Sequence, residues 1–470
     1  MFKGELKNYQ QECLDWLQSR SQALLALQMG LGKTIIVIAH LEKRKTPLSR
    51  FLIITPSSLC FQWSQEIKKF TDSDFTIIDG AKKNREVLWQ QKTVYTIVNY
   101  EKILKDKIVF DINWDVIICD ECDRLRNIQT KLVRMMWNFK VPVRYGLSGT
   151  PINNSPADLF GIFSFIKPFF FGKYNNFMEQ FAERELQSAG RKTFWVINGW
   201  KNLDKLKVLI SPFTYYKRKE EVLLDLPEIS FTTLTVELNK DQYKKYNEIL
   251  PMLWKELNGG NAIEYIPAFR VLSSSPTVYN KSINSAKFGV INDITNNKIS
   301  ELKELVKNII KFTGDKIVIF SQFVEVLKEI NESLKKEQIN SLIYSGELNQ
   351  KGKDEIIDKF KNNVENKVLL SSDSGAYGLN LQDASCVVNF DLTYNPAILA
   401  QRISRIHRIG QMKGVQVFNF VARKTIEEQI VGIVIEKMNN IQKIFDAGEN
   451  EKSFTNELRE VFKEKNGDQT

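Results

Sequence analysis

The sequence predicts an α/β protein made of two successive parallel-sheet units with a helical insertion and connector between them. Three observations predict it. Short apolar runs alternate with helical stretches through the first 150 residues, the same rhythm returns after residue 315, and the region from roughly 155 to 300 lacks it. Apolar runs with no polar alternation suit strands covered on both faces, and helix-length intervals between them suit crossover connections.

In the first unit the predicted strands are Ala23–Leu27, Phe51–Thr55, Val94–Val98, Val116–Cys119 and Tyr145–Ser148. In the second they are Lys316–Phe320, Ser341–Tyr344, Lys367–Ser371, Cys386–Phe390 and Val415–Val421. Between the units, Phe160–Phe171 reads as an aromatic helical stretch and Thr193–Ile197 as a short strand, while Ser273-Ser274-Ser275-Pro276 reads as a break. The expected domains are 1–215, with a helical insertion at about 155–215; a connector and helical protrusion at 216–300; a second domain at 301–435; and a C-terminal helix and tail at 436–470. A chain of 470 residues is too long for one core, in keeping with that division.

Composition bounds the function. The net charge of +10 suits a polyanionic partner without demanding one. Five cysteines, odd in number and scattered, argue against a disulfide framework and for a reducing compartment. Cys119 and Cys122 form a CxxC, but no second CxxC or CxxH pair exists to complete a zinc site. The amphipathic, charged N-terminal segment is no signal peptide, and Phe160–Phe171 is too short to span a bilayer. A cytoplasmic location, at the nucleoid or in a phage host, is the expectation.

Three pieces carry chemistry. Met29-Gly30-Leu31-Gly32-Lys33-Thr34 follows an apolar strand and precedes the helical run Ile35–Leu41. Glycines let backbone N–H groups wrap a phosphate chain at a helix N-terminus, Lys33 supplies charge to the β- and γ-phosphates, and Thr34 offers a hydroxyl to Mg²⁺. The strict phosphate-loop pattern asks for Gly where Leu27 stands. Asp120-Glu121 ends a buried strand, where one carboxylate suits Mg²⁺ and its neighbour suits polarising water. Gln401, Arg405 and Arg408 fall at i, i+4 and i+7, which places them on one face of a predicted helix. An arginine aimed at a γ-phosphate from a second domain can contribute on the order of 10³–10⁵ in rate and ties turnover to domain closure.

With these pieces in place, the chain resembles the Swi/Snf family of superfamily-two helicase-like ATPases over about residues 5 to 435. Leu6-Lys7-Asn8-Tyr9-Gln10 resembles the opening segment, which implies that Gln10 reads adenine. Thr55-Pro56-Ser57-Ser58-Leu59 with Trp63 resembles the first DNA-contacting motif, and Asp120 through Asn127 the DEAH-type box, with Asp123 in the place of its His. Leu147-Ser148-Gly149-Thr150-Pro151 is similar to the motif that couples ATP to DNA. In the second half, Ile319-Phe320-Ser321-Gln322-Phe323, Gly375-Ala376-Tyr377-Gly378-Leu379-Asn380-Leu381 and Gln401 through Gln411 resemble motifs four, five and six.

The resemblance implies two tandem RecA-like domains, ATP and Mg²⁺ as cofactors, and movement along double-stranded DNA without strand separation. It points to backbone contacts by polar side chains, and Thr55, Ser57, Ser321, Gln322, Ser372 and Asn380 are the candidates. Trp63, Trp195 and Trp200 could stack on bases, but such residues more often belong to the core. Two alternatives stay open: a strand-separating helicase, and a nucleotide-gated DNA clamp that hydrolyses poorly. The clamp would be expected to lose the groups that Lys33, Glu121 or Arg408 supply, and all three are present.

Overall fold

A computed structural model describes residues 1–189, 192–222, 226–259, 265–373, 379–408, 410–446 and 452–459. Two compact units emerge. The first comprises Met1–Glu185, Ile197–Leu224 and Asn440–Ala447, and the second Leu186–Val196, Asp225–Asn439 and Gly448–Thr470.

The strands of the first unit are β1 (Gln22–Leu27), β2 (Phe51–Thr55), β3 (Phe75–Ile77), β4 (Tyr95–Asn99), β5 (Val116–Asp120) and β6 (Val143–Leu147). β9 (Thr214–Lys217) completes them, while β7 (Ala182–Ala189) and β8 (Lys192–Trp200) form a separate two-stranded sheet whose residues are divided between the two units. The sheet runs β3-β4-β2-β5-β6-β1-β9, and every pairing in it is parallel. Its central strands β2, β4, β5 and β6 are buried from end to end, which explains why they read as unbroken apolar runs. Polar and flexible groups collect where these strands end, so the carboxyl edge is the chemically active one. Three helices there matter for the site: α1 (Asn8–Gln18), α2 (Lys33–Arg44) and α3 (Ser57–Phe70).

The second unit holds β10 (Ile229–Val236), β11 (Lys316–Ser321), β12 (Ser341–Tyr344), β13 (Val368–Ser372), β14 (Ala384–Asn389) and β15 (Val415–Ala422). They form one parallel sheet in the order β10-β15-β14-β11-β13-β12. Both sheets are RecA-like in their parallel, helix-covered build. All ten sequence-predicted sheet strands are present within one or two residues, and Thr193–Ile197 lies inside β8.

Among the described residues, four strands escape the sequence analysis: β3, β7, β9 and β10. The region from 155 to 300 is therefore not purely helical, since β9 and β10 join the two sheets at their edges. The physical reason is exposure. β10 alternates half-buried and exposed positions and β9 is half-buried throughout, so neither shows the apolar run of a central strand. The predicted break at Ser273–Pro276 is real: one helix ends at Ser274, and the Ser275 hydroxyl caps the next, which begins at Pro276. The aromatic stretch is helical from Asp158 to Ile166. No helix among the described residues is long and apolar enough to cross a membrane.

One contact sets the approach of the helix Asp158–Ile166 to the loop that follows β5. Gly161 lies against the carbonyl oxygens of Leu125 and Arg126, and a Cβ there would sit inside their van der Waals radii. Gly161→Ala is expected to cost about 1–3 kcal/mol by overpacking against backbone that has no side chain to swing away. A fall in the urea unfolding midpoint measures it, and an unchanged midpoint would show that the loop yields freely.

Candidate active site

The first unit gathers the phosphate loop, the paired acids and the coupling segment at one edge of its sheet. β1 runs straight into the loop, where Gly30 and Gly32 take φ of 89° and 78°. Gly32 is needed twice over. It caps α2 in the left-handed conformation, and a Cβ on it would lie 2.5 Å from the Gln10 side-chain nitrogen. Gln10 is thus built against the loop: its amide donates to the Leu31 carbonyl at 3.2 Å, and its Oε1 accepts from the Lys7 N–H at 2.9 Å. The Lys33 ammonium donates to the Leu27 carbonyl at 2.8 Å, and Thr34 stands half-exposed in the first turn of α2. Met29 is half-buried beside Gly149, where a Cβ would meet the Met29 Cγ at 2.9 Å and the Lys33 Nζ at 3.5 Å. The predicted coupling segment Ser148-Gly149-Thr150 therefore packs directly on the phosphate loop. It is held by the Ser148 N–H donating to Leu25 at 3.1 Å and the Thr150 N–H donating to the Ser148 hydroxyl at 3.1 Å.

Asp120 ends β5 and is buried. Its Oδ2 accepts from the Trp63 indole N–H at 2.8 Å and the Thr55 hydroxyl at 3.2 Å, and its Oδ1 accepts from the Glu121 N–H at 3.0 Å. Burial pushes the Asp120 carboxyl above the usual carboxylate range, while those donors and the Lys33 charge pull it back. Glu121 adopts φ 48°, ψ 54°, a left-handed conformation that is costly for a residue with a Cβ and ends the extended line of the strand. Asp123, in the place of the family's His, accepts from the Asn153 amide at 2.9 Å, so the acidic box is tied to the segment just beyond Thr150.

The second unit holds the arginine-bearing segment. The helix containing Gln401 runs from Pro396 to Ser404 and ends there, so the single helix face expected for Gln401, Arg405 and Arg408 is corrected. Arg405 is the C-cap, and Arg408 lies beyond it in a turn. Beyond the helix the carbonyls bond elsewhere: Arg405 accepts from the Leu381 N–H at 3.0 Å and Ile406 from the Gln411 amide at 3.4 Å. Arg405 is buried and Gln401 half-buried. The Arg408 guanidinium is half-buried with no ion pair to any described residue, and desolvation lowers its pKa from the ordinary value. A cation in that state is suited to an incoming anion.

The nucleic-acid candidates divide. Ser57 and Asn380 are exposed and Gln322 half-buried, and all three remain available. Thr55, Ser321 and Ser372 are buried and cannot present their hydroxyls to a backbone at the surface. Thr55 gives its hydroxyl to Asp120, and Ser321 gives its own to Asp391. The reason is placement: Thr55 and Ser321 each end a strand inside its sheet, where the hydroxyl is drawn to a buried carboxylate. Trp63 is likewise no stacking surface, being buried with its N–H on Asp120. Residues 375–378 of motif five lie outside the described residues.

Arg402 is the functional neighbour that sequence reasoning missed. It is buried, forks onto Asp373 at 2.6 and 3.0 Å, and donates to Asn389 Oδ1 and the Asp391 carbonyl at 3.0 Å each. It anchors the Gln401 helix to the ends of β13 and β14. Its spacing inside the motif gave no signal, because its partners lie far off in sequence.

A phosphate loop and acidic pair on one parallel sheet, with an arginine segment on a second, define a helicase-type P-loop protein. Comparison with known proteins shows which kind. Residues 9–310 match the SNF2-related domain and residues 297–410 the helicase conserved C-terminal domain, and the chain belongs to the SNF2-related family. It is 30% identical over 458 residues to a Mycoplasma pneumoniae protein named as an uncharacterized ATP-dependent helicase, covering 93% of this chain and 42% of that protein. It is 26% identical to a Bacillus subtilis protein named as the uncharacterized ATP-dependent helicase YqhH, covering 90% of this chain and 76% of that one. It is 27% identical to the ISWI chromatin-remodeling complex ATPase ISW1 of Saccharomyces cerevisiae, covering 93% and 40%. The chain thus spans about two fifths of the length of the Mycoplasma and yeast relatives.

The pH behaviour of Asp123 tests the geometry of the acidic box. Burial lifts its carboxyl from the ordinary 3.8 to about 6, against the pull of Asn153 and Arg126. The folded chain then binds the proton more tightly than the unfolded chain between those values, so stability falls as pH rises through that window and is level above it. Asp123→Asn, which never carries the buried charge, is expected to melt higher than the native chain at pH 7.5 and to lose that advantage toward pH 4. Scanning calorimetry at several pH values reads the difference, and parallel melting curves at all of them would refute it.

Proposed function

We propose that the chain is a DNA-dependent ATPase that couples ATP hydrolysis to movement along double-stranded DNA or to remodelling of protein–DNA complexes. The observation that carries the proposal is the joint placement, on one sheet edge, of Lys33 in a glycine-shaped loop, the buried Asp120 and its neighbour Glu121. Family membership and the names of the relatives support it.

The donor set suits Mg²⁺. Among the described residues no group of three or more His, Cys, Asp or Glu side chains could cage a metal by themselves, whereas one carboxylate and one hydroxyl, Asp120 and Thr34, lie at the phosphate loop. Mg²⁺ is typically held by one or two protein groups together with substrate phosphates. When bound there it would neutralise phosphate charge. Lys33 and the loop N–H groups bind and orient the phosphates, and Gln10 lines the loop on the side of α1. Glu121 orients and polarises the attacking water. Ser148-Gly149-Thr150, packed on Met29, passes a change at the loop to the neighbouring segment. Gln401, Arg405 and Arg408 serve turnover. The exposed Ser57 and Asn380, with Gln322, contact the DNA backbone. Action at the nucleoid belongs to the same proposal.

ATP hydrolysis measured in parallel with duplex DNA, single-stranded DNA and RNA tests the proposal. Duplex DNA is expected to stimulate most, and no stimulation by duplex DNA would defeat the translocase reading. Arg408→Ala is expected to lower turnover by about 10³-fold or more while nucleotide affinity changes little. Equal loss of both would make Arg408 a structural residue.

A further inference from the structure

Two side chains outside the phosphate loop and the acidic box converge on Asp120. Trp63 sits in the core on α3, and Thr55 ends β2, the strand paired in register with β5. Both donate to the same oxygen, Oδ2, at 2.8 and 3.2 Å. The other oxygen, Oδ1, accepts from the Glu121 N–H at 3.0 Å. The Asp120 carbonyl is held as well, accepting from the Tyr100 hydroxyl at 2.7 Å. A carboxylate with one oxygen shared by two fixed donors has no rotational freedom left about its last torsion. An indole on a helix and a hydroxyl on a neighbouring strand hold it from two elements at once, so it does not swing as a surface aspartate does.

We propose that Trp63 and Thr55 are positioning residues for Asp120, fixing its carboxylate so that Oδ1 is the oxygen offered to the cation that accompanies the nucleotide. This rests on the proposed ATP-binding function. The same logic governs metal sites generally: groups that hydrogen-bond a ligating carboxylate fix its orientation, and removing one costs about 10–100-fold in metal affinity. Trp63 is well suited to the task, because a buried indole N–H must find an acceptor and cannot turn to find another.

The test separates positioning from packing. Trp63→Phe keeps most of the ring and loses the N–H. Thr55→Val keeps the shape and loses the hydroxyl, and Thr55→Ser restores it. Binding of a fluorescent ATP analogue is titrated for each full-length variant in EDTA and over a range of Mg²⁺ concentrations, beside a thermal melt. Trp63→Phe and Thr55→Val are expected to bind the analogue in EDTA as the native chain does, and to need about 10-fold or more Mg²⁺ to reach the same gain in affinity. Thr55→Ser is expected to behave as native.

Lower melting temperatures with an unchanged Mg²⁺ dependence would overturn the inference, leaving both residues as packing. Should Trp63→Phe fail to fold, the Thr55 pair decides in the same way. If the native chain shows no Mg²⁺-dependent nucleotide binding, the proposed function fails first. If the native chain shows it and the variants match it, only the positioning role fails.

Discussion

A buried anion at the end of a greasy strand is the constraint on which the first unit turns. β5 is apolar until Asp120, and a carboxylate placed there cannot be left unsatisfied, since stripping its water is costly unless donors replace it. The donors come from β2, α3 and the next residue's own backbone, and the nearest positive charge comes from Lys33 at the start of α2. Satisfying one side chain thus fixes how two strands, a helix and the glycine loop meet. The apolar strands behind it supply stability, and the polar groups in front of it obey its demand for partners.

The second unit solves a similar problem with the sign reversed. Arg402 is a buried cation near the ends of β13 and β14, and Asp373, Asn389 and the Asp391 carbonyl surround it. Asp391 in turn accepts from Ser321 and from the Gln322 N–H at the end of β11. Three strand ends and the Gln401 helix are therefore joined through one guanidinium, whose planar fork suits a two-point grip on a carboxylate better than a lysine would. A buried ion pair of this kind specifies a geometry more than it adds stability. Geometry is what a short segment bearing Arg405 and Arg408 requires.

What was legible in the sequence follows from burial. Central strands such as Phe51–Thr55 and Val116–Asp120 are enclosed on both faces and show it as unbroken apolar runs, whereas β10, exposed at every second position in its first half, has no such mark. The phosphate loop and acidic pair were legible because their chemistry needs particular residues at adjacent positions. The bonds of Trp63 and Thr55 to Asp120 were not legible, because a hydrogen bond to a residue 57 or 65 positions away leaves no trace in spacing. Arg408 was assigned to a helix because its i, i+4, i+7 spacing with Gln401 and Arg405 fits one, whereas the chain turns after Ser404 and the Arg405 carbonyl goes to the Leu381 N–H, a partner far off in sequence.

The bond from Lys33 to the Leu27 carbonyl gives the loop's ammonium a partner before any anion arrives. The ammonium already has an acceptor of good length, so an arriving anion gains only the difference between its own attraction and that of a neutral carbonyl. That difference grows with the charge density of the anion, so a triphosphate chain has more to gain from it than a singly charged ion. Leu27, the residue that breaks the strict glycine pattern, costs nothing in this respect, because the group it contributes is its backbone.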